Sequence, residues 1–317
     1  MHFLKGLSPR TIGIVAAVIT VGIWAAFIVI ARASAQGTLT PFDIALARIF
    51  GASVVLLPLG WWLVRRDRAQ GVAAASSFFG LSPLALRVTA LCGVFGGFGY
   101  ALLAYAGFFY APAAHASVLM PGSLPLWTTL LAALILHTRI TPARAIGLAC
   151  IVGGGLLVGG ASLLSAFEGG DVWKGDLLFM SAALSWSAYS VLARHYGLDA
   201  VRATTAVTVF ALFSYVPFYF LLQGFDVIQS RLLVAPLGEV LFQVVFQGVG
   251  SVVISGMTFV RMIQYFGPVR STMITALVPG LSALGAVVFL DEPLHWNLLA
   301  GLVLVTVGIT FGVRKTP

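Results

Sequence analysis

Trp24-Ala25-Ala26-Phe27-Ile28-Val29-Ile30-Ala31-Arg32 returns, little altered, as Trp186-Ser187-Ala188-Tyr189-Ser190-Val191-Leu192-Ala193-Arg194. Trp, Ala, Val, Ala and Arg are identical in register, and Phe/Tyr and Ile/Leu are chemically close. A second echo follows, where Met120-Pro121-Gly122 answers Val278-Pro279-Gly280. A chain that repeats an apolar segment, with prolines at matching places, reads as two structural halves built on one plan.

The medium of those halves is set by composition. Hydrophobic residues make up 60% of the chain and charged residues 9%, against soluble averages of roughly 45–50% and about 25%. Mean hydropathy is +1.02. The net charge of +8 forms no basic stripe of the kind that binds nucleic acid; its residues sit at the ends of apolar stretches. Cys92 and Cys150 lie inside such stretches, so neither a disulfide framework nor a metal site is expected.

A helix needs about 20 apolar residues to cross the hydrocarbon core. That rule predicts ten spans, at 11–32, 43–64, 87–109, 113–136, 142–163, 174–194, 203–223, 240–263, 269–290 and 296–313. Lys5 and Arg10, an apolar run and Ala33-Ser34-Ala35 imitate a cleavable signal peptide. The run is too long for one, however, and it holds the Trp24 motif, so it is read as span one. With a cytoplasmic N-terminus, the inner flanks carry Lys5, Arg10, Arg65, Arg66, Arg68, Arg87, Arg139, Arg144, Arg194, Arg202, Arg261, Arg270, Arg314 and Lys315. The outer loops carry only Lys174 and Arg231, with Arg32 and Arg48 near the outer ends of spans one and two. This asymmetry predicts both termini in the cytoplasm.

Five spans per half is an odd number, so the second half enters the membrane from the opposite side. The expected fold is an all-α integral membrane protein of ten transmembrane helices in two inverted five-helix repeats, 11–163 and 174–313, a plan shared by many secondary transporters. An acidic outer linker, Ser162–Lys174 with Glu168, Gly169, Gly170 and Asp171, would join them. Gly71–Pro83 inside, with Phe78 and Phe79, and Gly224–Leu237 outside are read as surface stretches.

All ten carboxylates (Asp43, Asp67, Glu168, Asp171, Asp176, Asp199, Asp226, Glu239, Asp291, Glu292) are read into loops or span ends, which leaves no acidic relay at mid-depth. His-Glu-x-x-His, paired aspartates and Gly-x-Ser-x-Gly are all missing, so no catalytic residue, cofactor or enzyme activity is expected. A phosphorylated substrate would want several central Lys or Arg residues, and only Arg48 comes near.

Trp24 and Trp186 each stand eight residues before an Arg, about 12 Å of helix. With the Arg near the interface of a half-core of about 15 Å, each indole reaches the midplane, where its N–H needs a partner. Trp186, Tyr189, Ser190 and Ala193 share one helical face, and Trp24, Phe27, Ile28 and Ala31 its counterpart. Helix–helix packing and a substrate cavity both explain that face. Pro121 and Pro279 free the carbonyls of Ser117 and Thr275, beside hydroxyls, and Ser271, Thr275, Pro279 and Ser282 continue a polar stripe. Gating hinges with a binding role and static kinks satisfied by local Ser/Thr bonds both remain open. His115 on span four reads either as a proton-exchanging cavity residue or as a histidine bonded to a neighbouring carbonyl. Arg48 reads as snorkelling or structurally paired, or else as a carboxylate anchor. Tyr100 and Tyr105 are weaker candidates. Gly155-x-x-x-Gly159 and Gly308-x-x-x-Gly312 read as close-packing faces that make spans five and ten scaffold. Spans one, three, four, six, eight and nine are left to line the cavity.

These residues carry a resemblance over essentially the entire chain. The Trp24 and Trp186 openings, Ala47-Arg48, Pro121 with the small-residue start of span four, Gly267-Pro268-Val269-Arg270-Ser271, Val278-Pro279, Leu290-Asp291-Glu292-Pro293-Leu294 and Gly301 resemble the EamA-type members of the drug/metabolite transporter superfamily. His137-Thr138-Arg139 departs from the pattern where the second half keeps Asp291-Glu292-Pro293. The resemblance implies an inner-membrane secondary transporter working by alternating access. It implies export of amino acids or related metabolites, with the YddG-type aromatic amino-acid exporters as a compatible subtype. Export of drugs or other metabolites is the alternative within the family; a channel, a membrane-embedded enzyme or a receptor are the alternatives outside it. The implied partners are a small-molecule substrate and the lipid bilayer, with no nucleic acid, around a monomer or weak dimer.

Overall fold

A computed structural model describes residues 8–34, 37–71, 76–159, 163–164, 170–289, 291 and 294–313, with backbone alone at 31, 32, 34, 113 and 114. Lys5, Ala35, Leu290, Glu292, Pro293, Arg314, Lys315, residues 162 and 165–169 of the linker (Glu168 and Gly169 among them) and the Arg32 side chain lie outside that description. Ten helices are long and apolar enough to cross a membrane: α1 Pro9–Ser34, α2 Pro41–Ala69, α3 Leu86–Gly107, α4 Ala113–Ile135, α5 Pro142–Gly159, α6 Val172–His195, α7 Ala200–Gly224, α8 Leu237–Phe266, α9 Pro268–Phe289 and α10 Trp296–Val313. The described residues form no strand beyond an isolated Ser77–Ser82 bridge.

Local chemistry sets many of the boundaries. α2 opens on a capping box, in which Thr40 Oγ1 accepts from Asp43 N at 3.2 Å and Asp43 Oδ2 accepts from Thr40 N at 3.0 Å. α7, its repeat partner, is capped by Asp199, whose Oδ1 accepts from Val201 N and Arg202 N at 3.0 and 3.2 Å. Each cap satisfies orphan amides at a helix start. The turn between α8 and α9 is a single residue, Gly267, at φ 78; a side chain there would be strained.

Helix pairing obeys an exchange of halves. α4 lies against α6 as α9 lies against α1; α2 lies against α8 as α7 lies against α3; α1 lies against α8 as α6 lies against α3. The pairs α2–α7, α4–α9 and α5–α10 map onto themselves, as pairs straddling a pseudo-two-fold axis must. Matching wide turns occur in α3 and α8, where Val94–Phe98 and Val244–Ile254 are π-helical.

The scaffold reading of α5 and α10 needs one correction of register. The close approach is made by Gly147 and Gly154 against Gly308 and Gly301. A Cβ on Gly154 would lie 2.7 Å from the Gly301 carbonyl oxygen, and one on Gly147 would lie 2.6 Å from that of Gly308. Gly155 has room, with Val118 at 3.9 Å, whereas Gly312 is crowded by Gly147 and Met273. Backbone contact of this kind replaces the hydrophobic drive that apolar helices lack inside lipid.

The matched prolines sit in unlike surroundings. Pro121 lies within an unbroken α4, together with Pro125. In α9 the helix breaks: Pro268–Thr275 and Val278–Phe289 are separate segments joined by a turn at Ala276–Leu277. Pro279 is therefore the second residue of a new helix, where a missing N–H costs little.

Candidate functional site

Two cavities meet at the middle of the bundle. The first, about 700 Å³ including its open mouth, is lined by Trp24, Phe27, Arg48, Tyr100, Met120 and Trp186 among others. It extends past Phe108 and Ala116 toward the end of the bundle where α2 begins, the Asp43 end. The second, about 580 Å³, runs along Gly96, Tyr189, Thr204 and Thr208 toward the start of α7, the Arg202 end. Arg48, Tyr100, Trp186 and Ser251 belong to both and so form the wall between them.

Aromatic rings build that wall. Trp24 and Trp186 meet edge-on at 5.8 Å, Trp186 lies 4.9 Å from Tyr100 and 5.3 Å from Tyr189, and Phe259 backs both indoles. Trp24 Nε1 donates to Ser255 Oγ at 3.1 Å, the partner that a midplane indole requires. Trp186 Nε1 is buried and has no partner among the described residues. Gly96 lets Tyr189 close in, because a Cβ there would fall 2.6 Å from the tyrosine ring. The π-turn in α3 also exposes the Phe95 carbonyl, which Ser185 Oγ satisfies at 2.8 Å.

Arg48 gives the wall its charge. Its Nη1 donates to Ser251 Oγ at 3.0 Å and to Gln247 Oε1 at 3.4 Å, both on the π-turn of α8. The guanidinium lies 5.9 Å from the centre of the Phe27 ring. Among the described ion pairs none involves Arg48. A cation bound across the bundle by neutral oxygens is not a snorkelling one, and its charge is left for an anion.

The sequence-derived candidates divide cleanly. Trp24, Phe27, Pro121 and Trp186 line the first cavity, and Tyr189 and Trp186 the second. Ser190 Oγ donates to its own helix at Trp186 O, Thr275 Oγ1 to Thr272 O and Ser282 Oγ to Pro279 O. These three hydroxyls are buried and satisfied locally, outside both linings, as is the Ser271 hydroxyl on Gly267 O. Ser117 is buried outside both linings as well. His115 bonds a carboxylate: its Nδ1 lies 2.7 Å from Asp176 Oδ1. Asp176 itself falls in the first turns of α6, at the span end expected for it.

Two helices expected elsewhere also contribute. α2 supplies Arg48, Ile49 and Ala52, and α7 supplies Thr204, Val207 and Thr208. Arg48 and Tyr100, which the sequence reading ranked below the indoles, line both cavities. The lone position of Arg48 among mid-depth cations was the available signal. At the two ends, polar ties join the halves. Asp43 accepts from the Tyr219 hydroxyl, from Ser230 Oγ at 3.1 Å and from Arg231 N at 3.0 Å. Arg202 Nη2 meets Asp67 Oδ2 at 2.6 Å.

The comparisons with known proteins agree with this architecture. The model of the EamA-like transporter family matches residues 11–160 and again 173–314. A solved crystal structure, titled only as that of a protein, superposes with a TM-score of 0.65 at 22% identity, covering 94% of this chain and 95% of the other. No curated protein matches by sequence. A bundle of ten apolar helices in two repeats, closed around a central cavity, defines a membrane transporter of the drug/metabolite class. The chain belongs to the EamA-like transporter family.

Proposed function

We propose that this transporter exports amino acids, aromatic or otherwise apolar, and related small metabolites across a bacterial inner membrane by alternating access. Its repeats, 11–163 and 174–313, rock about the shared wall in a monomer or weak dimer, with both termini cytoplasmic. The observation that carries the reading is Arg48: a guanidinium held only by neutral oxygens, set in an aromatic wall that two oppositely directed cavities share. A carboxylate on Arg48 gains charge-assisted hydrogen bonds where water is scarce. Trp24, Trp186 and Tyr100 then enclose an apolar side chain, with Trp186 Nε1 as a further donor, and their ring faces receive the ammonium group. The Arg202 end, flanked by Arg10, Arg139, Arg144, Arg261 and Arg270, is the cytoplasmic one by charge.

Counterflow tests this. Purified protein in liposomes loaded with unlabelled phenylalanine should accumulate labelled phenylalanine transiently, chemically unchanged, and leucine should compete. Absence of counterflow across a panel of amino acids would remove the substrate class, and a chemically altered product would remove the transport reading.

A further inference from the structure

The contact between His115 and Asp176 stands apart from the rest of the interior. His115 is fully buried and the Asp176 side chain is 15% exposed. Both lie inside spans, in the first turns of α4 and α6. Ionisable residues at such positions are costly and are usually retained for a function. The repeat supplies no mate. Register through Pro121/Pro279 puts Met273 opposite His115, and register through Trp24/Trp186 puts Ile14 opposite Asp176.

The pair also joins two walls of one cavity. Ala116, Met120 and Pro121 of α4 line the first cavity, and so do Ala183 and Trp186 of α6. Parting of the pair would free α4 from α6 at the Asp43 end of that cavity. The other described charged groups on the surrounding elements are paired or distant. Lys174 at the start of α6 is tied to Asp171 at 2.7 Å and has Tyr110 nearby. α1, α5 and α9, which also flank α4, carry their described charges Arg10, Arg144 and Arg270 at the opposite end. Arg48 lies across the cavity, bonded to α8. Asp291 and His295 follow α9 outside the spans.

We propose that His115 and Asp176 form a proton-binding site that gates the Asp43 end of the transporter. The proposal rests on the transport reading above. With one proton, a neutral imidazole donates its Nδ1–H to the carboxylate and the pair carries a net negative charge. A second proton, taken from the water facing that end, makes an imidazolium against a carboxylate, with no net charge. The second form suits an apolar interior better, and its charge-assisted bond is the stronger. Protonation therefore holds α4 against α6, and loss of the proton to the same water loosens them.

The sign follows from this. Acid on the Asp43 side slows exchange, and alkali speeds it, across the histidine range of about pH 5 to 8. Exchange of labelled for unlabelled phenylalanine should fall several-fold as that side is acidified. His115→Gln and Asp176→Asn each keep a hydrogen-bonding side chain but remove the titration, and should flatten the profile. A wild-type rate indifferent to pH on that side, or variants that follow the wild-type profile, would overturn the proposal. A measurement free of substrate covers inactive variants and a failed substrate class. In ¹⁵N-histidine spectra of the wild-type protein in lipid nanodiscs, the His115 nitrogens should titrate. In Asp176→Asn their response to pH should differ from that of the wild type, because the carboxylate charge is gone. His115 resonances that do not titrate, or a response unchanged by the substitution, would sink the site even if transport of phenylalanine stood; no counterflow with a normal titration would sink only the transport reading.

Discussion

Arg48 reaches across the bundle to Ser251 and Gln247, and the same geometry decides what its loss should do. Replacing it with glutamine keeps a polar side chain but removes the charge that meets a carboxylate. A hydrogen bond to a charged group contributes about 1.5–3 kcal/mol, so Arg48→Gln should raise the half-saturating amino-acid concentration roughly 10- to 100-fold, with expression intact. Arg48→Lys should recover little, because an ammonium lacks the planar fork. Both are read from concentration-dependent counterflow. Unchanged affinity in a well-folded Arg48→Gln protein would return the arginine to a structural role. Trp186→Ala and Tyr189→Ala remove the ring faces of the wall, and should impair counterflow without loss of expression. Normal transport by both would leave these rings to helix packing.

At the scale of the element, the unlike prolines separate two effects that symmetry alone would merge. Pro121 interrupts hydrogen bonding within a continuous α4, so Pro121→Ala should raise thermal stability by restoring a backbone bond. Pro279 begins a segment after the Ala276–Leu277 break, so Pro279→Ala should change stability much less. Pro121→Ala should slow transport by stiffening a hinge and shift cysteine labelling between the two cavities, and Pro279→Ala should do so much less. Normal transport by Pro121→Ala makes that proline a static kink. The scaffold helices provide a contrast. Gly154→Val would drive a side chain into the Gly301 carbonyl, where even a Cβ lies at 2.7 Å, whereas Gly122 has nothing within 4 Å of an added Cβ. Thermal melting in detergent should show a large loss for Gly154→Val and little for Gly122→Ala. Equal melting of the two would mean that α5 and α10 are not held by close backbone contact.

At the scale of the molecule, ten spans divided five to a repeat make the two repeats enter the membrane from opposite sides, and the helix pairing exchanges the halves accordingly. Reporters fused to the two termini should therefore read the same compartment. By the excess of arginine at the Arg202 end, that compartment is expected to be the cytoplasm. Termini on opposite sides would break the inverted arrangement, and both outside would break the charge assignment.

The number of spans, their approximate limits and the duplication were legible in the residues, because hydropathy and repetition are properties of the chain taken in order. The capping box at Thr40 and Asp43 is equally local. Other features depended on which way each helix turns. In lipid, a side chain facing the bilayer and one facing a neighbouring helix are both apolar, so hydropathy does not mark the inward face. The polar stripe of Ser271, Thr275 and Ser282 looked like a cavity wall, yet each hydroxyl bonds its own helix backbone. Arg48 looked like a residue bound for the interface, yet α8 draws it to the centre. His115 and Asp176 are 61 residues apart, and nothing in either segment announces the other. The sequence by itself determined a membrane bundle of ten helices in two related halves, since composition and periodicity are written along the chain. Only the tertiary structure decided the charged wall, the buried histidine–carboxylate pair and the break in α9, since each arises where helices distant in sequence are forced to share one interior.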